Sequence, residues 1–176
     1  MSEDIITSNE EGRQIILASG DIVLVSCEDY DYLNQWKWWL STPGYARRID
    51  QALEKPKAIS MHRVILPPPN SSLWIDHING NKLDNRRSNL RLCTPSQNST
   101  NVSKRKKNAS SRFKGVCLAK YGWQVDIWAD CKHYYVGTFK DEVEAASAYN
   151  DAAIRLQGEF ARLNDLGPYN GPGGSQ

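Results

Sequence analysis

Short apolar segments separated by turn residues fill the first part of the chain, a pattern typical of short strands. Gln14–Ala18 and Asp21–Ser26 flank a Ser-Gly pair and predict the two arms of a hairpin. Asp29–Trp36, which begins with acidic residues, predicts one helix. Trp38–Leu40 and Tyr45–Arg48 flank a Pro-Gly turn and predict two more strands. This part of the chain therefore predicts a mixed strand and helix region.

Three consecutive prolines, Pro67–Pro69, end this pattern, and a strand, loop, strand and helix unit is predicted after them. Leu73–His77 and Leu90–Leu92 are the two predicted strands, and polar turn residues fill the loop between them. Thr94 is predicted to be the N-cap of the helix, because a proline suits the first helical position and a glutamine at the third can bond back to the cap. With Thr94 as the N-cap, Asn98 lies in the first turns of the predicted helix.

The carboxy-terminal part of the chain predicts a small sheet packed on one helix. Its three predicted strands are Phe113–Lys120, Trp123–Ala129 and His133–Phe139, which are joined by short turns. Asp141–Leu156 is the predicted helix. Apolar residues recur on one face of this helix at steps of three and four, namely Val143, Ala146, Tyr149, Ala153 and Leu156. Three strands and a packed helix can form an independent module.

We expect an α+β protein that is organised in five segments. A polar, basic stretch that contains Lys104, Arg105, Lys106 and Lys107 predicts a linker, and a Gly/Pro-rich end predicts a disordered tail. The predicted segments are a mixed strand and helix region over 1–60, a strand-loop-strand-helix core over 61–103, a linker over 104–111, a three-stranded antiparallel sheet packed on one helix over 112–166, and a tail over 167–176.

Charge is distributed unevenly along the chain, although the net charge is only +2. Residues 1–60 carry six Lys and Arg against ten Asp and Glu, and residues 112–176 carry seven against eight. Residues 61–111 carry nine basic residues against two acidic ones. A basic centre between acidic flanks indicates a polyanionic partner, whereas a solvated linker would explain the basic run at 104–107 alone.

Composition argues against several classes of protein. The chain is 40% hydrophobic and 24% charged, which suits a folded protein and not a disordered one. Its apolar runs are shorter than a membrane span, and its acidic start is unlike a signal peptide, so membrane insertion and secretion are not expected. Cys27, Cys93, Cys117 and Cys131 form no closely spaced pair for a zinc site, and we expect buried, reduced thiols.

Asp76 and His77 end the first strand of the strand-loop-strand-helix core, and Asn89 and Asn98 follow them. Cleavage of a phosphodiester needs a base that deprotonates water and a cation that stabilises charge on the phosphate. Imidazole, with an ordinary pKa of about 6.5, is a suitable base at neutral pH. The Asp76 carboxylate and the Asn98 amide oxygen are hard ligands that suit Mg²⁺ or Mn²⁺. Asn89 suits a role in bracing the loop by hydrogen bonds.

This core strongly resembles the HNH nuclease family of ββα-metal type. The resemblance is carried by the run Ile75–Arg91, which contains the Asp-His pair and Asn89, and by the helix start Thr94–Asn98. The segment looks most like homing endonucleases of phages and mobile introns, in which an asparagine often takes the third motif position. The resemblance implies that His77 is the general base and that Asn89 stabilises the loop. It also implies that the residues at 76 and 98 hold a divalent cation, Mg²⁺ or Mn²⁺.

Basic residues around the motif are candidate DNA contacts. The pair His62-Arg63 fits the homing-endonuclease branch, which often has such a pair before the motif. We interpret His62 as a structural histidine on a strand and Arg63 as a phosphate contact. Arg86, Arg87 and Arg91 surround the Asp-His pair in the sequence and are expected to bind DNA. The linker adds Lys104, Arg105, Lys106 and Lys107 to this set.

The carboxy-terminal module resembles the ethylene-response-factor (Apetala-type) DNA-binding domain. The resemblance is carried by Lys114–Val116, Trp123, Val136–Phe139 and the helix segment Glu144–Ala153. It implies that a three-stranded sheet enters the major groove while the helix supports it from behind. The candidate DNA contacts from this match are Arg112, Lys114, Lys120, Trp123 and Trp128. The strands carry fewer arginines than the plant family has, so we expect modest sequence specificity.

The leading hypothesis is a metal-dependent endonuclease that hydrolyses double-stranded DNA, by nicking or by cutting both strands. It would act in the cytoplasm of the host cell of a phage or mobile element, with no membrane partner and no small-molecule organic cofactor. The alternative is a DNA-binding regulator whose nuclease fold is catalytically silent. RNA binding has only the basic linker in its favour. The complete set of four motif residues favours the enzyme.

Overall fold

The computed structural model describes residues 12–51, 55–101 and 110–167 of the chain. These residues form several small sheets and four α-helices, which confirms the predicted α+β class. The chain divides into two compact units, Met1–Cys93 and Thr94–Gln176.

The described part of the first unit contains three small sheets and two helices. In chain order its elements are β1 (Arg13–Ile16), β2 (Ile22–Val25), α1 (Cys27–Leu33), β3 (Trp39–Leu40), β4 (Ala46–Asp50), β5 (Lys57–Ser60), α2 (Met61–Ile65), β6 (Trp74–His77), β7 (Asp84–Asn85) and β8 (Leu90–Cys93). The two predicted strand pairs of the first part of the chain, and the strands on either side of the polar loop, are confirmed.

Strand pairing in the first unit is mostly between neighbouring segments, and one pair joins segments that are far apart in the sequence. β1 and β2 form the predicted antiparallel hairpin, and β7 adds to it by pairing in parallel with β2. β4 lies between β3 and β5 in a second, antiparallel sheet. β6 pairs with β8 in an antiparallel ladder of two strands, which carries the Asp-His pair at its end.

Three elements of this unit were not predicted, and α1 is displaced from its predicted range. Strand β5, helix α2 and strand β7 are each five residues or fewer, too short to show a period in the sequence. Helix α1 begins at Cys27 and ends at Leu33, whereas Asp29–Trp36 was predicted. At its end, the Leu33 carbonyl accepts a hydrogen bond of 2.8 Å from the indole Nε1 of Trp38, which satisfies a carbonyl of the last turn.

In the described residues of the first unit, the buried apolar side chains form one hydrophobic core. Its buried members come from both sides of the predicted boundary between residues 60 and 61, and Met61 at that boundary is fully buried among them. The buried members of this core are Ile15, Leu17, Val23, Val25, Leu33, Trp38, Ala46, Met61, Ile65, Ile75 and Leu90. The motif strands therefore pack on a core that the amino-terminal hairpins help to build.

The second unit begins with a short helix and continues into a sheet with one helix packed on it. Its elements in chain order are α3 (Pro95–Thr100), β9 (Val116–Ala119), β10 (Gly122–Ala129), β11 (Lys132–Phe139) and α4 (Glu142–Gln157). The three predicted strands form an antiparallel sheet with β10 in the centre, as expected. Residues 104–109 of the predicted linker and 168–176 of the predicted tail lie outside the described residues.

The packing of α4 on the sheet follows the predicted apolar face. Tyr149 is 2% exposed, and the apolar positions around it on the helix pack on the inner side of the strands. Gly115 approaches this tyrosine so closely that a Cβ at residue 115 would overlap the Tyr149 ring, and its φ of +73° favours glycine independently. The Lys-Gly-Val run that leads into β9 therefore has a packing requirement for its glycine.

The four cysteines, all within the described residues, form no disulfide, but their burial differs from the prediction. Cys93 is buried on β8, whereas Cys27, Cys117 and Cys131 are exposed. The expectation of four buried thiols is wrong for these three, because they lie at a helix start, on an outer strand and in a hairpin turn. In the described part of the chain, no helix has the length and apolar character needed to cross a membrane.

Candidate active site

The antiparallel ladder of β6 and β8 positions the Asp-His pair. Asp76 lies opposite Arg91, and His77 lies opposite Leu90 at the end of the ladder. Both side chains of the pair are buried, with 6% of Asp76 and 4% of His77 exposed. Buried polar groups need hydrogen-bond partners. The partners of Asp76 and His77 therefore determine how each side chain is oriented and what chemistry it can perform.

Asp76 is held by an arginine on the neighbouring strand. Nε and Nη2 of Arg91 both donate to Oδ2 of Asp76, at 3.0 and 2.8 Å. The two side chains are only 7% and 13% exposed, so this is a buried ion pair. Charge-assisted hydrogen bonds of this kind fix the orientation of a carboxylate more firmly than neutral ones do.

The His77 ring is oriented by an asparagine from β7. Nε2 of His77 lies 3.4 Å from Oδ1 of Asn85, and Nδ2 of Asn85 donates to the Lys82 carbonyl at 3.3 Å. Because the amide nitrogen of Asn85 is used as a donor, its oxygen faces His77 as an acceptor. The proton of a neutral His77 ring therefore belongs on Nε2, and the lone pair belongs on Nδ1.

The surroundings of His77 favour the neutral ring in the absence of a substrate. Burial is the largest influence and lowers the pKa of His77 below its ordinary value. The hydrogen bond to Asn85 and the charges of Asp76 and Asp84 act in the opposite direction, since they favour the protonated ring. A neutral imidazole with nearby carboxylates is the state that a general base requires.

The loop between the two strands is braced by Asn89 and Asp84. Oδ1 of Asn89 accepts from the backbone N–H of Asn79 at 2.9 Å, and its Nδ2 donates to the Asp84 carbonyl at 2.7 Å. The backbone carbonyl of Asn89 also accepts from the N–H of Ile78 at 2.9 Å. Asn89 is thus bonded to both sides of the loop, an arrangement suited to the bracing role expected for it.

The arginines next to the motif have carboxylate partners within the protein. Arg86 donates to both oxygens of Asp84 at 2.8 and 2.7 Å, and this pairing is the main reason that the pKa of Asp84 is lowered. Arg87 makes the same two-point contact with Asp29 of α1, at 2.8 and 2.7 Å. Like Arg91, these residues hold the site together, a structural contribution that the sequence did not suggest.

Asn98 lies on α3, in the second unit, and is half-buried. The helix begins as predicted: Thr94 Oγ1 accepts from the Gln97 N–H at 3.3 Å, and Gln97 Oε1 accepts from the Thr94 N–H at 2.8 Å. This capping box and Pro95 fix the first turn, and the backbone N–H of Asn98 bonds to the Thr94 carbonyl at 2.9 Å. The position of the predicted second ligand is therefore set by local sequence.

Two aromatic residues lie beside His77: Tyr45, which was not predicted at the site, and His62, which was interpreted only as a structural histidine. The His62 ring meets the His77 ring edge-on, with 5.3 Å between centroids and 86° between planes. Tyr45 contacts both rings, at 5.0 Å from His62 and 6.0 Å from His77. His62 is buried on α2, so the interpretation of a histidine on a strand is wrong; the chain turns into a helix directly after β5. The adjacent Arg63 is exposed.

The candidate DNA contacts of the second unit differ in exposure. Trp128 is 64% exposed, and Arg112 and Lys120 are exposed as well. Trp123 packs half-buried against the core of this unit. Nζ of Lys114 donates to the Thr100 carbonyl, and burial lowers the pKa of Lys114 to about 8. The remaining candidates, Lys104, Arg105, Lys106 and Lys107, lie outside the described residues.

The two residues predicted to hold a cation, Asp76 and Asn98, carry hard oxygen ligands. Asp76 has a carboxylate and lies in the first unit, and Asn98 has an amide oxygen and lies in the second. In the part of the chain that the structure describes, no group of three or more His, Cys, Asp or Glu residues is arranged around a metal site. Mg²⁺ does not require such a group, because it usually binds one or two carboxylates together with waters and substrate phosphates. The residues present therefore fit a magnesium ion better than a structural zinc ion.

Comparison with known proteins identifies the family. The HNH endonuclease family model matches residues 67–100, which include Asp76, His77, Asn89 and Asn98. The HNH endonuclease L560 of Acanthamoeba polyphaga mimivirus is 32% identical over 148 residues, which cover 84% of this chain and 76% of that protein. The chain belongs to the HNH endonuclease family. Residues 67–100 are accordingly its HNH motif, and the chain is a nuclease by family.

Further relatives match different parts of this HNH protein. Protein 3.8 of Escherichia phage T7 is 34% identical over 92 residues, or 51% of this chain and 74% of that protein. APETALA2-like protein 2 of Oryza sativa subsp. indica is 47% identical over 58 residues, which are 31% of this chain but only 13% of the plant protein. No solved structure matches the chain. The viral and phage relatives are consistent with a protein of phages or mobile elements.

Proposed function

We propose that this HNH protein is a divalent-metal-dependent endonuclease that hydrolyses double-stranded DNA, with His77 as its general base. The observation that carries the proposal is the setting of His77, which is buried at the end of the ladder of β6 and β8 with Nε2 at 3.4 Å from Oδ1 of Asn85. From this contact we assign the lone pair of the neutral ring to Nδ1. An imidazole fixed in this way can accept a proton on one defined atom.

The protein's own residues then have distinct tasks. Nδ1 of His77 takes a proton from water, whose oxygen bonds to phosphorus while the bond from phosphorus to the leaving sugar oxygen breaks. The leaving oxygen takes up a proton from solvent. Asp76 and Asp84 favour the imidazolium that forms, because their charges raise the proton affinity of His77. Mg²⁺ or Mn²⁺ held by Asp76 and Asn98 would stabilise negative charge on the phosphate and the leaving oxygen.

DNA binding is assigned to the second unit and to basic residues along the chain. The partial likeness to a plant APETALA2-like protein and the sheet backed by α4 support binding through the exposed face of β9–β11. Trp128 is exposed on a strand of this sheet, and the candidate contacts Arg112 and Lys120 are exposed as well. The basic run Lys104–Lys107 and Arg63 would add phosphate contacts without sequence preference.

Addition of metal to a preformed complex of protein and DNA tests the proposal. The protein is first bound to supercoiled plasmid in EDTA, and excess Mg²⁺ or Mn²⁺ is then added while nicked and linear products are followed on a gel. We expect binding in EDTA without cutting, and cutting only after the metal is added. Binding that is never followed by cutting in any metal would support the alternative, a DNA-binding regulator with a silent nuclease fold. Cutting at full rate in EDTA would contradict the role given to the metal.

A further inference from the structure

Three rings from separate segments of the first unit meet at the candidate active site, namely Tyr45, His62 and the candidate base His77 itself. The sheet of β3, β4 and β5 brings two of them together, because Arg47 on β4 pairs with Ser60 on β5. Tyr45 lies two residues before Arg47, and His62 lies two residues after Ser60. In an antiparallel pair these two positions lie at the same end of the sheet, which is the end that faces His77.

Ring contacts limit the orientations that are open to His77. The second side-chain torsion of a histidine has a broad, roughly two-fold preference, so a ring can turn over and exchange its two nitrogens. The hydrogen bond between the ring and Asn85 is long, at 3.4 Å. His62 closes one side of the ring edge-on, and Tyr45 lies along another at 37° between planes.

We propose that His62 and Tyr45 are positioning residues that hold the His77 ring with Nδ1 directed at the attacking water. This inference rests on the proposed function, because it assumes that His77 is the base. His62 and Tyr45 precede the segment that the HNH family model matches. A displacement of about 1 Å at a reacting group can lower the rate by about 10²-fold, so removal of the His62 or Tyr45 side chain should have a measurable effect on cleavage.

Two further observations support a positioning role over simple packing. Burial lowers the pKa of His62 to about 3, so the ring stays uncharged beside the imidazolium that forms on His77. Tyr45 is itself held, because Nζ of Lys82 lies 4.6 Å above its ring and donates to the Pro43 carbonyl at 2.8 Å. The HNH loop and the hairpin of β3 and β4 are thereby joined next to the base.

Steady-state cleavage of a DNA duplex in Mg²⁺ separates positioning from packing. We expect His62→Ala to lower kcat by about 10- to 100-fold with little change in KM, because DNA contacts are left in place. His62→Phe, which places an aromatic ring beside His77 again, is expected to recover most of the lost kcat. At Tyr45, the Tyr45→Leu variant, which removes the ring, should lower kcat, whereas its matched control Tyr45→Phe, which keeps the ring, should not.

Specific results would overturn the proposal. A folded His62→Ala protein with wild-type kcat would do so, as would a His62→Phe protein as slow as His62→Ala. Urea unfolding of each variant checks the fold. If His62→Ala does not fold, the two Tyr45 variants are used alone. Equal kcat in Tyr45→Leu and wild type would then contradict the proposal. Wild type and His77→Ala are run alongside: an inactive wild type would refute the proposed function, whereas an active wild type with unaffected His62 and Tyr45 variants would refute only this inference.

Discussion

Replacing His77 by alanine is expected to lower the rate of DNA cleavage by about 10²- to 10⁴-fold, the usual contribution of a positioned general base. The change removes Nδ1, the atom that accepts the proton of the attacking water. It leaves the exposed cations and the sheet of the second unit untouched. The rate is measured under single-turnover conditions with saturating protein, so that a change in DNA affinity does not enter the result.

DNA affinity provides the control for this variant. The His77 ring is 4% exposed and contributes no charge to the DNA-binding surface, so binding of His77→Ala in EDTA should match that of the wild type. Loss of binding and cleavage in the same proportion would indicate misfolding. Retention of wild-type cleavage would show that the base is another residue.

Replacing Asp76 by alanine is expected to lower the free energy of unfolding by about 3–5 kcal/mol, measured by urea denaturation in EDTA. The pair of Asp76 and Arg91 is almost fully buried, and removal of one partner leaves an uncompensated charge on the other. The double variant Asp76→Ala/Arg91→Met should recover much of the loss, because it removes the stranded guanidinium and keeps an apolar side chain.

An exposed ion pair in the same unit provides a matched control. Arg13 and Asp31 are joined at 3.1 Å, but their side chains are 48% and 88% exposed. Asp31→Ala should therefore change the free energy of unfolding by less than about 1 kcal/mol. If Asp76→Ala were no more destabilising than Asp31→Ala, the buried pair would not be fixing the carboxylate as described.

Local sequence was sufficient to predict some elements and not others. The start of α3 was predicted because its capping box and Pro95 act within one turn. The helix α4 was predicted because sixteen residues show a clear period. By contrast, Asp84–Asn85 is a strand only through its pairing with β2, and two residues carry no period of their own. Such elements depend on contacts that are distant in the sequence.

The same distinction applies to the site. The Asp-His pair and Asn89 stand in a contiguous motif, so their types and spacing were informative. The contacts of His62 and Tyr45 with His77 depend on the pairing of β4 with β5, which no local pattern encodes. Asn85 was read as a turn residue, although it orients the His77 ring. The sequence shows that Arg86, Arg87 and Arg91 are charged, but only the fold shows which carboxylates pair with them.

In the proposed reaction, water deprotonated by His77 attacks phosphorus. Cleavage of a DNA duplex in H₂¹⁸O, followed by mass spectrometry of the new ends, tests this step. We expect one solvent-derived ¹⁸O in each newly formed terminal phosphate with the wild-type protein and Mg²⁺, and almost no product with His77→Ala in the same time. Product that lacks the label, or labelled product formed equally fast by His77→Ala, would contradict it.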